Sequence, residues 1–492
     1  VPVYDGLEVD QIFDAISYLK GSSVIRMLSA HLGEKVFLQG VADYLKAHQY
    51  SNAKTTDLWS ALSKASGLDV NDFMDNWIRQ IGFPVVTVAE EPGQIGLKQQ
   101  RFLLSGDTKP EEDETTWWIP LGLHTGSSAS SASVHKTQAL TQKADTIRDV
   151  NDSFYLVNKN LTGFYRTNYP PTRLAKLGEA MEHLTVQDKI GLVGDAYSNA
   201  VAGHGSTAGL LAFVENFQSE SDYLVWSQII TSLGSVRSDF SGTEDISAGL
   251  KKYQLKLTSS AVEKVGWEFK QGEGFLIGQL RGALILSAGL VGHKATVDEA
   301  LRRFDAYLSG DKSVINPSLR SAVFSIAIKE RGESAYKAVQ QEYQTTTSVD
   351  GKEICLRAMG RVQDPKLAQQ FLSFIFSDKV AMQDKHSGTI ALASNSKVRY
   401  EVWAFIRDNW DSQIHPTLSG NLVVLERFLR FGLNKFTDSK VADEIQEFFK
   451  GKDNRGYDKG LEVIDDNIRA HDQYRRRDGE VVREWLGAHG YL

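Results

Sequence analysis

Along most of the chain apolar residues recur every three or four positions, and one interval near the front alternates instead. Val9, Ile12, Phe13 and Ile16 fall on one face of a predicted amphipathic helix, and Val24, Ile25, Leu28 and Leu32 resume that spacing beyond Gly21. Tyr18, Lys20 and Gly21 stand at the interruption, placing a phenol, a cation and a flexible residue between two core-facing stripes. Gly33 is a natural helix stop, and residues 35–45 restore the period. Thr56 and Asp57 precede a helix with Leu58, Ala61, Leu62 and Ala65 on its apolar side, closed by Gly67. Residues 72–81 predict one more, with Phe73, Trp77 and Ile81 on one face.

The period then changes to two. Residues 86–88, 95–103, 117–123, 133–136, 146–150 and 154–158 have the β-branched, aromatic look of short strands. Turn-rich patches separate them, among them the acidic loop Glu111–Glu114 and the serine tract Ser127–Ser133. About seven such strands in a short interval predict a β-sandwich. Pro170-Pro171 breaks the chain, and from there on the signal is helical, as in 186–202, 207–217, 222–233, 295–308, 319–330, 334–345, 366–376, 397–409, 422–431 and 440–449. Helices of about 10–17 residues joined by short loops predict a curved helical array without a fixed sequence period.

Composition narrows the function classes. A formal net charge of −7 over 492 residues argues against a nucleic-acid binder with a large basic surface, though not against a local patch. No apolar run approaches the roughly 20 residues that cross a bilayer, and no signal-peptide pattern opens the chain. Because Val1 opens what reads as mid-protein sequence, a leader or anchor upstream stays open. The single cysteine, Cys355, rules out an intrachain disulfide and fits a reducing compartment, so a cytoplasmic location is the expectation. The glycosylation triplets at Asn151 and Asn160 are of a kind that arises often by chance.

Three motifs resemble one family. Phe13-Asp14-Ala15-Ile16-Ser17-Tyr18-Leu19-Lys20-Gly21 resembles the Phe-Asp-x-Ile-Ser-Tyr-x-Lys-Gly segment of the zinc aminopeptidases of the aminopeptidase N and puromycin-sensitive type. That family often has Glu where this chain has Leu19. Trp77-Ile78-Arg79-Gln80-Ile81-Gly82-Phe83-Pro84 resembles its Trp-x-x-Gln-x-Gly-Phe-Pro, which ends the catalytic domain and opens a small β-domain. Residues 162–169 resemble the exit from that domain, and Trp485-Leu486 its last helix. The resemblance implies a multidomain, mostly α fold. Residues 1–82 would be the C-terminal helical part of a thermolysin-like catalytic domain, 83–170 the β-sandwich, and 171–492 a HEAT- or armadillo-like superhelix. It also implies a parent enzyme that removes N-terminal residues from peptides. Tyr18 falls on the family's tyrosine, which donates a hydrogen bond to the oxyanion as water adds to the peptide carbonyl. Read from the residues alone, a tyrosine on an amphipathic helix is an edge-of-core residue.

The zinc site of that family needs His-Glu-x-x-His on one helix face, and none of the 11 histidines is paired that way. His31-Leu32-Gly33-Glu34 holds half of the reversed motif, and the family's amine-anchoring Gly-Ala-Met-Glu-Asn is absent too. Both lie upstream of the tyrosine in the family, so the expectation is a missing N-terminal half. Zinc then belongs to the parent, with no metal or cofactor ligand in this chain and no activity from it alone. Its expected partners are peptide substrates and that missing half, with no nucleic acid and no membrane segment. The competing reading is a non-catalytic helical scaffold that binds peptides or proteins. Gly203-His204-Gly205-Ser206-Thr207-Ala208 fits a dinucleotide-loop pattern but follows a helix, which favours a helix–loop–helix turn. Cys355 sits in a helical stretch where a buried, inert thiol is the default. Arg469, Arg475, Arg476, Arg477 and Arg483 alternate with acids and read as a salt-bridged helix face, or else as a contact with the missing half or a substrate carboxylate.

Overall fold

The computed structural model describes Gly6 and residues 16–106, 108–135 and 138–492; the predicted stripe of Val9, Ile12 and Phe13 lies outside these. The protein is mostly helical, with small sheets, and its contacts divide it into two compact units. One ends at Phe213, and the other runs from Val214 to Leu492.

In the first unit a π-helical turn, Ile16–Lys20, leads into α1 (Gly21–Leu32), followed by α2 (Glu34–Ala47), α3 (Thr55–Ser66) and α4 (Val70–Ile78). Helix α4 stops three residues short of the predicted end, and Ile81 is 74% exposed instead of sharing a face with Phe73 and Trp77. The carbonyls of Gln80 and Gly82 are taken by the Lys20 ammonium, and Gly82 turns at φ 81°, so no helical ladder continues there.

Nine short strands follow: β1 (Pro84–Glu91), β2 (Gln94–Arg101), β3 (Ile119–Pro120), β4 (Leu123–Gly126), β5 (Ser133–His135), β6 (Ala139–Leu140), β7 (Ala144–Arg148), β8 (Phe154–Leu156) and β9 (Arg166–Asn168). They form three sheets, in the orders β7-β2-β1-β9, β3-β6 and β5-β4-β8. The β1–β2 hairpin pairs Pro84 with Arg101 through to Glu91 with Gln94, and β9 joins β1 in parallel. Residues 117–123, expected as one strand, are split between β3 and β4. Gly122 adopts φ 52°, and the carbonyls of Leu121 and Gly122 accept from the amides of Asn158 and Lys159 instead of a sheet partner. Helices α5 (Pro171–Glu179), α6 (Val186–Ala202) and α7 (Thr207–Val214) complete this part, with Pro171 in the first turn of α5, where its missing N–H costs nothing.

The second unit is helical throughout. It comprises α8 (Tyr223–Asp239), α9 (Glu244–Val265), α10 (Phe275–Leu290), α11 (Lys294–Leu308), α12 (Arg320–Arg331), α13 (Glu333–Thr345) and α14 (Val349–Met359). Then come α15 (Pro365–Ile375), α16 (Lys385–Ala393), α17 (Arg399–Asn409), α18 (His415–Leu418), α19 (Leu422–Leu433), α20 (Ser439–Phe449) and α21 (Asp458–Ala488). One row packs in succession, α8 on α10, then α12, α14, α16, α19 and α21, and α21 returns to touch α8 and α9. The intervening helices lie against this row, α9 on α10, α11 on α12, α13 on α14 and α20 on α21. Two helices exceed the expected length, α9 at 22 residues and α21 at 31. In α21 the continuity comes from buried Ile464, Ile468, Tyr474, Val482 and Leu486 on one side, with Arg469–Asp465 and Arg476–Asp472 pairs four residues apart.

A buried ion cluster ties α5 to two of the sheets. Arg173, 1% exposed, donates from Nε to Glu90 of β1 at 2.7 Å and from a terminal nitrogen to the Asp152 carbonyl at 3.0 Å. Its guanidinium lies 4.0 Å above the ring of Tyr155 in β8, whose hydroxyl also donates to Glu90 at 2.8 Å. Burial alone would raise the Glu90 carboxyl, but the hydrogen bonds from Arg173 and Tyr155 outweigh it and hold it below its ordinary 4.5. A depressed folded-state value means that this carboxylate stabilises fully above its unfolded value and loses that contribution as pH falls through the folded one. Glu90→Ala is therefore expected to cost roughly 3 kcal/mol at neutral pH, because it strands a buried guanidinium. In urea unfolding, the gap to wild type should close as the pH is lowered beneath 4.5.

Candidate functional site

Of the three motifs singled out in the sequence, far apart along the chain, the second meets the first at the π turn and the third at Phe164. A π turn bonds each carbonyl to the amide five residues on, so it widens the helix and is found most often where a function requires it. Gly21 does not break the helix: Lys20 is already helical at φ −63°, ψ −48°, and the π turn runs directly into α1. At the junction, Ser22 and Ser23 donate from Oγ to the Leu19 carbonyl, at 3.2 and 2.7 Å. Lys20 reaches the second motif, its Nζ donating to the carbonyls of Gln80 at 2.8 Å and Gly82 at 2.9 Å. Burial lowers the pKa of this ammonium. Tyr18, two residues earlier, is 59% exposed, on a turn held at its Leu19–Lys20 end.

The third motif is clasped to α1. Arg26 donates to the carbonyls of Asn160 (2.9 Å) and Leu161, and the Phe164 amide points at Met27 Sδ, 3.4 Å away. The Phe164 ring packs on Phe83 at 5.0 Å and on Trp77 at 6.3 Å, so aromatic residues of the second and third motifs share one cluster. The loop leading there holds three non-glycine residues at positive φ, Asn158, Asn160 and Leu161, each costing of order 1–3 kcal/mol. Side chains hold it so. Asn158 accepts from the Gly163 amide at 2.7 Å, and Asp188 accepts from the Asn160 amide at 2.6 Å and from Lys159. Helix α6 supplies Asp188, Asp195 and Asn199, all buried on one face. Asp195 accepts from Arg166 at 3.0 Å and the Thr167 amide at 2.9 Å, while Asn199 donates to the Thr167 carbonyl at 3.0 Å. Burial raises the Asp195 carboxyl against the pull of Arg166.

Comparison with known proteins fits this convergence. The model of the ERAP1-like C-terminal domain matches residues 154–470, and that of the peptidase family M1 domain matches residues 1–77. The chain belongs to the M1 aminopeptidase family. It is 38% identical to Aminopeptidase 2 of Candida albicans, with all of this chain and 53% of the relative aligned. It is 36% identical to the alanine/arginine aminopeptidase of Saccharomyces cerevisiae over all of this chain and 57% of that protein. Aminopeptidase M1 of Arabidopsis thaliana is 34% identical over 91% of this chain and 52% of its own length. The chain thus spans about half the length of the curated relatives it matches, and corresponds to the C-terminal part of an M1 aminopeptidase.

The other candidates of this M1 chain fall into place. Among the described residues no three His, Cys, Asp or Glu side chains converge to hold a metal ion, so they do not fit the family's zinc. The His31 ring is stacked on Phe73 at 5.7 Å and edge-on to Trp118 at 5.0 Å, and burial lowers its pKa. Gly203, at φ 79°, caps α6 and opens the turn to α7, the helix–loop–helix geometry expected of that glycine pattern. The Cys355 thiol is 1% exposed and is pushed up to about 12 by burial, which keeps it from ionising at neutral pH. The arginines of α21 are paired, Arg469 with Asp443 and Asp465, Arg475 and Arg476 with Asp472, Arg477 with Asp478, and Arg483 with Asp245 and Glu480. No single helix among the described residues is long and apolar enough to cross a membrane.

Sequence reasoning missed the residues that hold the segment leading into the third motif. Arg26 carries no signal, since its partners are backbone carbonyls about 135 residues away. Asp188, Asp195 and Asn199 did carry one: their offsets of seven and four mark a polar stripe on one face of a helix otherwise built for burial. Because Lys20 couples residues 16–20 to 80–82, Lys20→Met should loosen both segments together. In hydrogen exchange the amides of 16–23 and 79–84 are expected to lose protection, while β1 and β2 beyond Val85 keep theirs; an unchanged pattern would show that the coupling is dispensable.

Proposed function

We propose that this chain is the part of a zinc aminopeptidase that brings Tyr18 to the reacting carbonyl and adds a helical domain, the whole protein removing N-terminal residues from peptides. The observation that carries the reading is an exposed phenol on a π turn whose far end is locked by Lys20 to the Gln80–Gly82 backbone. A hydroxyl held in this way donates its hydrogen bond without reorganising as negative charge develops on the carbonyl oxygen, which makes it worth more than the same bond in water. In the whole enzyme, zinc would polarise that carbonyl and supply an activated water. Its ligands would lie outside this chain.

The domain assignment follows the same reading. Residues 1–82 would be the tail of the catalytic domain, the three sheets of 83–170 its small β-sandwich, and 171–492 the helical array. The row of successive helices from α8 to α21, with others lying against it, supports a HEAT-like superhelix for the last. Ile16, Leu19, Leu38, Leu45 and Ile81 are all about half exposed or more, an apolar surface suited to cover by an N-terminal half of the same protein.

In the full-length enzyme, Tyr18→Phe is expected to lower kcat about 10²–10³-fold while leaving KM nearly unchanged, because the lost bond forms only as charge develops. An unchanged kcat would remove Tyr18 from the mechanism. The 492-residue chain alone, with zinc added, is expected to leave an aminoacyl-coumarin substrate intact. Release of coumarin above the protein-free control would mean that a complete catalytic site lies within it.

A further inference from the structure

Inside the helical unit, a cavity of about 730 Å³ collects positive charge from six separate places in the sequence. Arg237 lies in the last turn of α8, Lys251 in α9, Lys329 near the end of α12, Arg361 just past α14, Lys397 between α16 and α17, and Lys435 just past α19. One carboxylate lines the same space, Glu330, and it is engaged by Lys329. Among the described residues the other five cations form no ion pair, and the buried Nε of Arg361 has no hydrogen-bond partner. Arg237 donates to Gln254 at 3.0 Å, a neutral acceptor that itself donates to Ser287 at 2.7 Å.

These cations feel one another. Burial, with the charge of Arg361 added, brings the Arg237 guanidinium down to about 10. Burial and then Arg237, Lys397 and Lys329 lower Lys251. Part of the charge has a structural explanation: α8, α10, α12, α14, α16 and α19 all end at this cavity, and cations near helix C-termini offset the dipole there. Each such end is equivalent to about half a negative charge, so six ends offset about three of the five net positive charges. An excess of about two remains, in a space whose other lining mixes serines, Thr231, Asn395, Gln254 and Gln363 with apolar Ile230, Ala283, Leu286 and Leu290.

We infer that this cavity binds a small phosphorylated molecule, its doubly charged phosphate held by Arg237, Lys251 and Arg361. The charge matches a phosphate monoester better than a lone carboxylate, and the volume leaves room for the organic group that bears it. Arginine and lysine contacts to phosphate are charge-assisted, so each one removed should weaken binding about tenfold. This site lies within 230–435 and is independent of Tyr18.

The test is calorimetric titration of the 492-residue chain with inorganic pyrophosphate at low ionic strength, set against sodium chloride at equal ionic strength. One pyrophosphate per chain is expected, with Lys251→Gln and Arg361→Gln each weakening it about tenfold. Lys294→Gln, on an exposed residue of α11 paired with Asp298, should leave the affinity unchanged. Should Arg361→Gln fail to fold, the exposed Lys397→Gln takes its place. Heat no greater than that of chloride, or equal affinity in all variants, overturns the inference. So does displacement of pyrophosphate by a peptide with a free C-terminal carboxylate but not by its amide at like concentration, which would make the site one for peptide carboxylates.

Discussion

Irregular backbone that is packed against other elements must find hydrogen-bond partners, and in the first unit that requirement organises everything near Tyr18. The segments 80–82 and 158–168 have no long ladder to join, so their amides and carbonyls are met by Asn158 from within and by Lys20, Arg26, Asp188, Asp195 and Asn199 from elsewhere. All but the exposed Arg26 are partly or wholly buried, which is costly for polar or charged groups unless every bond is made. Satisfied together, they hold the 158–168 segment against α1 and α6, while Lys20 ties the turn that carries Tyr18 to residues 80–82. They also explain why the left-handed residues of the 158–161 loop are tolerated, since several independent bonds over-determine that conformation.

The second unit solves the same problem in the opposite way. Its backbone is satisfied within helices, and what remains is to bury apolar faces. Val323, Phe324, Ile326, Ala327 and Ile328 of α12 are buried all round because that helix has neighbours in both rows. At Gly360 and Gly388 successive helices of one row approach so closely that a Cβ on Gly360 would meet the Gly388 carbonyl at 2.9 Å and Ala391 Cβ at 2.6 Å. Small residues there let the end of α14 reach α16, much as alternating large and small side chains let any packed layers interlock.

Much of this was legible in the sequence. The bounds of α6 were read as residues 186–202, and the structure shows what sets them, a Thr185 cap bonded to the Asp188 amide and Gly203 at the end. Where signals of this kind were weak, the reading fell short. Helix α21 looks like a charged surface because its apolar stripe is thin, yet its 31 residues bury Ile464, Ile468 and Tyr474 completely. The strand expected at 117–123 fails because Gly122 takes a conformation that propensity cannot foresee. The π turn was visible only as an interruption of the apolar spacing at Tyr18, Lys20 and Gly21, which does not tell a change of hydrogen-bond register from a loop. The motifs around Tyr18 could be found as strings, but that they touch could not, since contact over 60 or 135 residues leaves no local trace.

Net charge was the least informative of the global quantities, and the reason is general. A sum of −7 describes the surface that a distant partner sees through salt, and it bears on long-range attraction to nucleic acid. It says nothing of charges that the fold gathers. Arg237, Lys329, Arg361, Lys397 and Lys435 stand in five different helix-terminal contexts, each an ordinary place for a cation when taken alone. Only the parallel stacking of the inner row brings those ends to one cavity, so the local excess of positive charge is a property of topology. An acidic chain can therefore hold a strongly cationic interior, and arrangement decides its electrostatics where composition does not.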